Sequence, residues 1–124
     1  MGWPPQVGEL LPRASEGYGV REKLAQYCLN PEHPVGGPKA AGFALILGIT
    51  LESIDYLDAE IRKGVRRHPI VSVTDNEPYG VKCVVDIPIG GIGSYSGRTV
   101  KVRTVWELAA PPLPPRLISA FPKG

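Results

Sequence analysis

The chain predicts an α+β domain, with N-terminal helices packed on one face of a roughly four-stranded antiparallel sheet. Two observations carry this. Apolar residues recur with a helical period as far as Val65 and with a period of two from Ile70 onward. The two kinds of segment are also segregated, helices first and strands after, which favours α+β over an alternating parallel architecture. A length of 124 residues fits one domain with its own core. Residues 1–18, rich in Pro, Gly and mixed polar groups, read as an irregular lead-in, and 19–124 as a single globular domain.

From Val20 to Leu29 the apolar positions Val20, Leu24, Tyr27 and Cys28 form the stripe of an amphipathic helix that ends at Asn30-Pro31. A second helix spans about Lys39 to Leu47, opened by Pro38 and closed by Gly48. It is apolar nearly all round, which predicts a buried element. Thr50 is the expected N-cap of a third helix with Leu51, Ile54, Leu57, Ile61 and Val65 on its core face, stopped by Pro69. Ile70 to Thr74 is a short strand, with Asp75 to Pro78 as the turn after it. Tyr79 to Ile87 alternates as a half-buried strand, and Gly90 to Gly97 reads as a mobile hairpin loop. Arg98 to Leu108 is the longest strand, with Val100, Val102, Thr104, Trp106 and Leu108 on one face and Lys101, Arg103, Val105 and Glu107 on the other. The proline-rich run Ala109 to Pro115 leads to a last strand, Arg116 to Phe121.

A formal charge of +2 and a charged fraction of 21% do not mark a polyanion-binding protein by bulk electrostatics, so any basic patch is local. The start of the chain lacks the basic and apolar regions of a signal peptide, and no run reaches the roughly eighteen apolar residues of a membrane helix. We therefore expect no membrane partner. Cys28 and Cys83 sit among apolar neighbours and read as buried free thiols of a reducing compartment. Two histidines and two cysteines without ligand spacing make no metal motif, and no cofactor is expected.

Asn30 to Lys39 is the most constrained stretch, with three prolines and two glycines in ten residues. It presents His33 and Lys39 on a rigid bend at the mouth of the second helix. A lysine at the positive end of a helix is better placed when an anion comes to it, although solvated side chains would look the same in sequence. Arg66-Arg67-His68 could bind phosphate, yet complementing the helix dipole accounts for it fully. The glycine-rich loop lacks the lysine of a phosphate-cradling P-loop. Pairing of Cys28 with His33 as nucleophile and base conflicts with the place of Cys28 on an apolar stripe.

Several blocks together resemble an uncharacterised bacterial domain family found as short proteins and at the C-termini of large polymorphic toxins. They are Leu11-Pro12-x-Ala14, Leu29-Asn30-Pro31-x-His33-Pro34-x-Gly36-x-x-Lys39-Ala40, Thr104-Val105-Trp106 and Pro115-Arg116-Leu117-x-Ser119-Ala120-Phe121-Pro122. The closing strand pair also resembles the barnase, EndoU, colicin and RelE superfamily of toxin ribonucleases. In that superfamily a final-strand hydroxyl and aromatic often sit at the site. Here they are Ser119 and Phe121, so a tyrosine-type hydroxyl is missing.

The resemblance implies a metal-independent ribonuclease toxin that cleaves RNA by attack of the ribose 2′-hydroxyl. It acts in the cytoplasm and is carried, in some arrangements, as part of a larger secreted toxin. Its partners would be RNA and a cognate immunity protein or antitoxin. On that expectation His33 transfers protons, Lys39 and Arg103 hold the phosphate, and Thr104 or Ser119 hydrogen-bonds the phosphate or the 2′-hydroxyl. Strand alternation sends Thr104 and Arg103 to opposite faces, whereas Ser119 and Phe121 share one. Two other readings stay open, a non-catalytic binding module of a toxin–antitoxin pair and a transferase or nucleotide-acting toxin built on the same cations.

Overall fold

The computed structural model describes residues 3–123. Three helical segments precede a four-stranded antiparallel meander of order β1-β2-β3-β4. The helices are α1 (Val20–Lys23), which runs into a π-helical turn over Leu24–Cys28, then α2 (Gly37–Leu47) and α3 (Ile54–Val65). The strands are β1 (Ile70–Asp75), β2 (Val81–Gly90), β3 (Thr99–Leu108) and β4 (Arg116–Pro122). The expected α+β fold, helices before sheet, is the observed one.

The core lies between the helix layer and one sheet face. Alternation buries Val81, Cys83, Val85, Ile87 and Ile89 of β2 and Val102, Thr104, Trp106 and Leu108 of β3. Against them pack Val20, Leu24, Phe43, Leu47, Leu57 and Ile61 from the helices. Trp106 is fully buried, as the period of two predicts. Its indole N–H donates to Thr104 Oγ1 at 2.8 Å, and that hydroxyl donates to the Val85 carbonyl at 2.6 Å. A buried polar pair is tolerable only when satisfied in this way.

Several boundaries differ from expectation for local reasons. The lead-in is docked: Gly8 and Glu9 exchange backbone hydrogen bonds with Ile70, Leu11 is buried, and Tyr18 bridges β4 at Arg116. Met1 and Gly2, the start of the expected lead-in, and Gly124, the end of the expected domain, lie outside the described residues. Tyr79 is exposed outside β2, which starts at Val81. Thr50 does cap, accepting from the Glu52 N–H, but the turn it opens is a 3-10 turn over Leu51–Ser53, and Leu51 is largely exposed. The loop after β2 is tied down rather than loose. Gly91 donates to Arg98, Ile92 donates to Leu47, and Gly93–Tyr95 forms a 3-10 turn.

Helix α2 is not buried all round. Phe43 and Leu47 enter the core, while Leu45 remains 71% exposed on the outer face. Uniform apolarity predicted burial because sequence does not say how many sides of a helix find neighbours. Gly48 ends it in the left-handed region at φ 70°, with its N–H returned to Ala44. Strand β4 is an edge, and its outward donors are occupied: Leu117 N–H bonds the Tyr18 carbonyl and Ala120 N–H bonds Cys28 Sγ at 3.3 Å.

Candidate functional site: a cation held by two hydroxyls

The site forms where the bend before α2, the π turn after α1 and strand β4 meet. In the π turn, Leu29 N–H reaches back to the Leu24 carbonyl, one residue further than an α-helix allows. This keeps Leu24 and Cys28 in the core and leaves Tyr27 half-buried, with its hydroxyl toward α2. The bend then packs on the Tyr27 backbone. A β-carbon at Gly36 would stand 2.1 Å from the Tyr27 carbonyl oxygen, so only glycine permits this approach.

His33 holds the bend together. Its Nδ1 accepts the backbone N–H groups of Val35 at 3.0 Å and Gly36 at 2.9 Å, satisfying donors at the mouth of α2. A nitrogen that accepts two N–H groups carries no proton, so the ring hydrogen is on Nε2. The imidazole also stands edge-on to the Tyr27 ring, with centroids 4.9 Å apart. In this arrangement His33 is a cap and an Nε2–H donor. Acting as a base would need an accepting Nε2, which this tautomer does not offer, and acting as an acid would need a proton on Nδ1 in place of the two N–H groups it accepts.

Lys39, in the first turn of α2, is the centre of the cluster. Its ammonium donates to Tyr27 Oη at 2.6 Å and to Ser119 Oγ at 2.8 Å. It lies 4.4 Å from the centroid of the Tyr27 ring and 5.5 Å from that of Phe121. Lys23 approaches the same tyrosine ring at 5.7 Å. Among the described residues no carboxylate stands within ion-pair distance of Lys39. Beside it a cavity of about 220 Å³ is lined by Pro38, Lys39, Gly42, Phe121 and Pro122.

Ser119 reaches this cluster through a β-bulge. Val105 pairs with Ser119 while Trp106 pairs with Leu117, so Ile118 is the extra residue on β4. Ser119 and Ala120 are then buried in succession, one beside Lys39 and the other in the core. The structure thus brings together His33, Lys39 and Ser119, with Tyr27 linking them and Phe121 alongside. Tyr27 is the participant that sequence reasoning assigned to the core stripe. Its signal was slight, an aromatic carrying a hydroxyl at the last turn before the constrained bend.

The other two expected substrate-binding residues lie elsewhere. Thr104 is fully buried and spends its hydroxyl on Val85 and Trp106, so it cannot meet a substrate. Arg103 stands on the opposite sheet face, in a two-point pair with Asp86 at 3.0 and 3.1 Å. The guanidinium hydrogen bonds hold the Asp86 carboxyl below its ordinary range. Arg103 is across from Phe121 in register, with Lys101 on the same face and Lys123 Nζ 3.9 Å from Asp86.

Cys28 and Cys83 are buried, and burial pushes each thiol up to about 11. At Cys28 the Ala120 N–H opposes that rise without cancelling it. Neither is an activated nucleophile. Among the described residues no group of three or more His, Cys, Asp or Glu side chains is placed to hold a metal ion, and no single helix is long and apolar enough to cross a membrane. No curated protein and no solved structure matches the chain. One family model, described as "Domain of unknown function (DUF6883)", matches residues 10–124, nearly the whole length over which these elements are built. The chain belongs to the DUF6883 family.

Proposed function

We propose that the Lys39 cluster binds a phosphodiester and that the protein is a metal-independent ribonuclease. One observation carries the reading: the cluster is a set of donors without an acceptor. Lys39 spends two N–H groups on Tyr27 and Ser119 and keeps a third. Each hydroxyl accepts from the ammonium and retains its own hydrogen. Among the described residues neither hydrogen has an acceptor, and Lys39 has no counter-ion. Three donors around one cation suit phosphate oxygens, and they complement the charge that builds there as the ribose 2′-hydroxyl attacks phosphorus.

Tyr27 is suited to protonate the leaving 5′-oxygen, because a phenolate forming there lies 2.6 Å from the Lys39 ammonium. It supplies the hydroxyl that Phe121 lacks. The cluster contains no side-chain base for the 2′-hydroxyl proton, which passes to solvent in this scheme. That same lack favours the second reading, a binding module without catalysis. Phe121 offers an apolar face to a base, and Lys101, Arg103 and Lys123 line a path for the strand along the open sheet face. A cell making an active enzyme of this kind needs an immunity protein or antitoxin, acidic where it meets these cations. Action on cytoplasmic RNA, and delivery within a larger toxin, belong to the same proposal.

The test is cleavage of varied RNAs in excess chelator by the wild type, Tyr27→Phe and Lys39→Ala, with melting temperatures alongside. Tyr27→Phe is expected to lose about 10²–10⁴-fold in rate while staying folded. Lys39→Ala is expected to lose rate and salt-dependent RNA affinity together. Binding without cleavage by the wild type would move the assignment to the module. No binding at all would remove both.

A further inference from the structure

A second cavity, independent of the Lys39 cluster, lies between the 3-10 turn Ala14–Glu16 and the C-terminal half of α3. Its volume is about 240 Å³. The turn forms one wall with Ser15 and Gly17, and α3 forms the other with Arg62 and Arg66, one helical turn apart; Val65 and Trp106 lie behind them and are themselves buried. Gly17 is what lets the wall come so close: a β-carbon there would stand 3.3 Å from the Trp106 ring and 3.2 Å from the Ala14 carbonyl oxygen.

The charges around this cavity do not balance. Asp58 is engaged with Arg62 through Nε at 2.8 Å, which leaves that guanidinium's terminal nitrogens to other acceptors. Glu16 is taken by Arg13 through both carboxylate oxygens. Arg66 has no ion-pair partner among the described residues. The helix dipole explains why cations gather at the end of α3. It does not explain a cavity that a hydroxyl and two guanidinium groups line together.

We propose that this cavity is a binding site for phosphate or a small phosphomonoester, with the phosphate on Arg62, Arg66 and Ser15. Guanidinium groups suit phosphate because their planar donors match its oxygens at two points. The volume is below the usual range of about 300–1,000 Å³ for drug-sized ligands, so the occupant is phosphate or a small ester of it and not a polymer strand. The site stands on its own residues and does not depend on the ribonuclease reading.

The experiment is titration of the whole protein with inorganic phosphate and with glycerol phosphate in chloride buffer, followed by calorimetry and melting temperature. The wild type, Arg66→Ala, Ser15→Ala, Lys39→Ala and the double variant with Lys39→Ala and Arg66→Ala are compared. Arg66 is exposed, so its replacement should leave the unliganded melting temperature near that of the wild type. Expected are saturable binding by the wild type, a saturable component that persists in Lys39→Ala, and at least about tenfold weakening of that component when Arg66→Ala is added to Lys39→Ala. Failure to saturate below about 10 mM in the wild type would overturn the proposal. So would binding that survives Arg66→Ala and disappears in Lys39→Ala, since the anion would then sit at the other cluster.

Discussion

Replacing Gly36 with alanine tests whether the bend, Tyr27 and Lys39 are one mechanical unit. Gly36 has helical dihedrals, φ −76° and ψ −21°, which alanine adopts freely, so any cost is steric and not conformational. The new β-carbon would meet the Tyr27 carbonyl oxygen at 2.1 Å, its carbon at 2.8 Å and the ring Cδ1 at 3.0 Å. The nearest atoms are backbone, so no rotamer change relieves them. The bend must move by more than about 1 Å, with overpacking costs of about 1–3 kcal/mol. Such a shift also weakens the two hydrogen bonds to His33 Nδ1, worth about 0.5–1.5 kcal/mol each. Against this, alanine reduces unfolded-state entropy by about 0.4–1 kcal/mol. The net is a loss of about 1–4 kcal/mol, or roughly 5–15 °C in Tm for a domain of this size. Gly42→Ala is the control. It lies inside α2 with only ordinary contacts, the nearest at 3.6 Å to Pro122, and should gain about 0.5–1 kcal/mol. Thermal and urea unfolding of both variants, with RNA affinity measured in parallel, decides the matter. A Gly36→Ala protein as stable as Gly42→Ala, with wild-type RNA affinity, would refute the coupling.

Three further outcomes are expected. Trp106→Ala should cost about 3–5 kcal/mol, and Thr104→Val about 1–3 kcal/mol because the buried indole N–H loses its acceptor; unchanged urea midpoints would contradict the core assignment. Asp86 has its folded-state pKa lowered, chiefly by the Arg103 hydrogen bonds, so its contribution is complete above the unfolded carboxyl range and is lost as pH falls from about 4 through the folded value. Asp86→Asn should therefore flatten the acid limb of a plot of Tm against pH, and an acid limb of wild-type slope would remove this pair as its source.

The order of helices and strands was legible in the sequence because period 3.6 and period 2 are local properties, written in the spacing of Val20, Leu24 and Cys28 or of Val102, Trp106 and Leu108. The burial of Trp106 and both cysteines followed from the same spacing. So did the separation of Arg103 from Thr104, since adjacent strand residues point to opposite faces. The constrained bend was legible too, because proline and glycine limit dihedrals wherever they stand.

What joined the site was decided only in three dimensions. The meeting of Lys39 with Ser119 depends on how α2 lies along β4 and on the extra residue Ile118 in that strand, and pairing register is a property of two segments. The hydroxyl of Tyr27 turns to Lys39 because the π turn changes which residues of the first helix face inward, a choice made by packing and not by helix propensity. Thr104 had the right chemistry for a substrate contact, but whether a hydroxyl is free depends on its neighbours, and here Val85 and Trp106 had taken it. His33 was visible as a histidine on a rigid loop. Which of its nitrogens carries the proton was set by two backbone N–H groups that the fold aims at Nδ1.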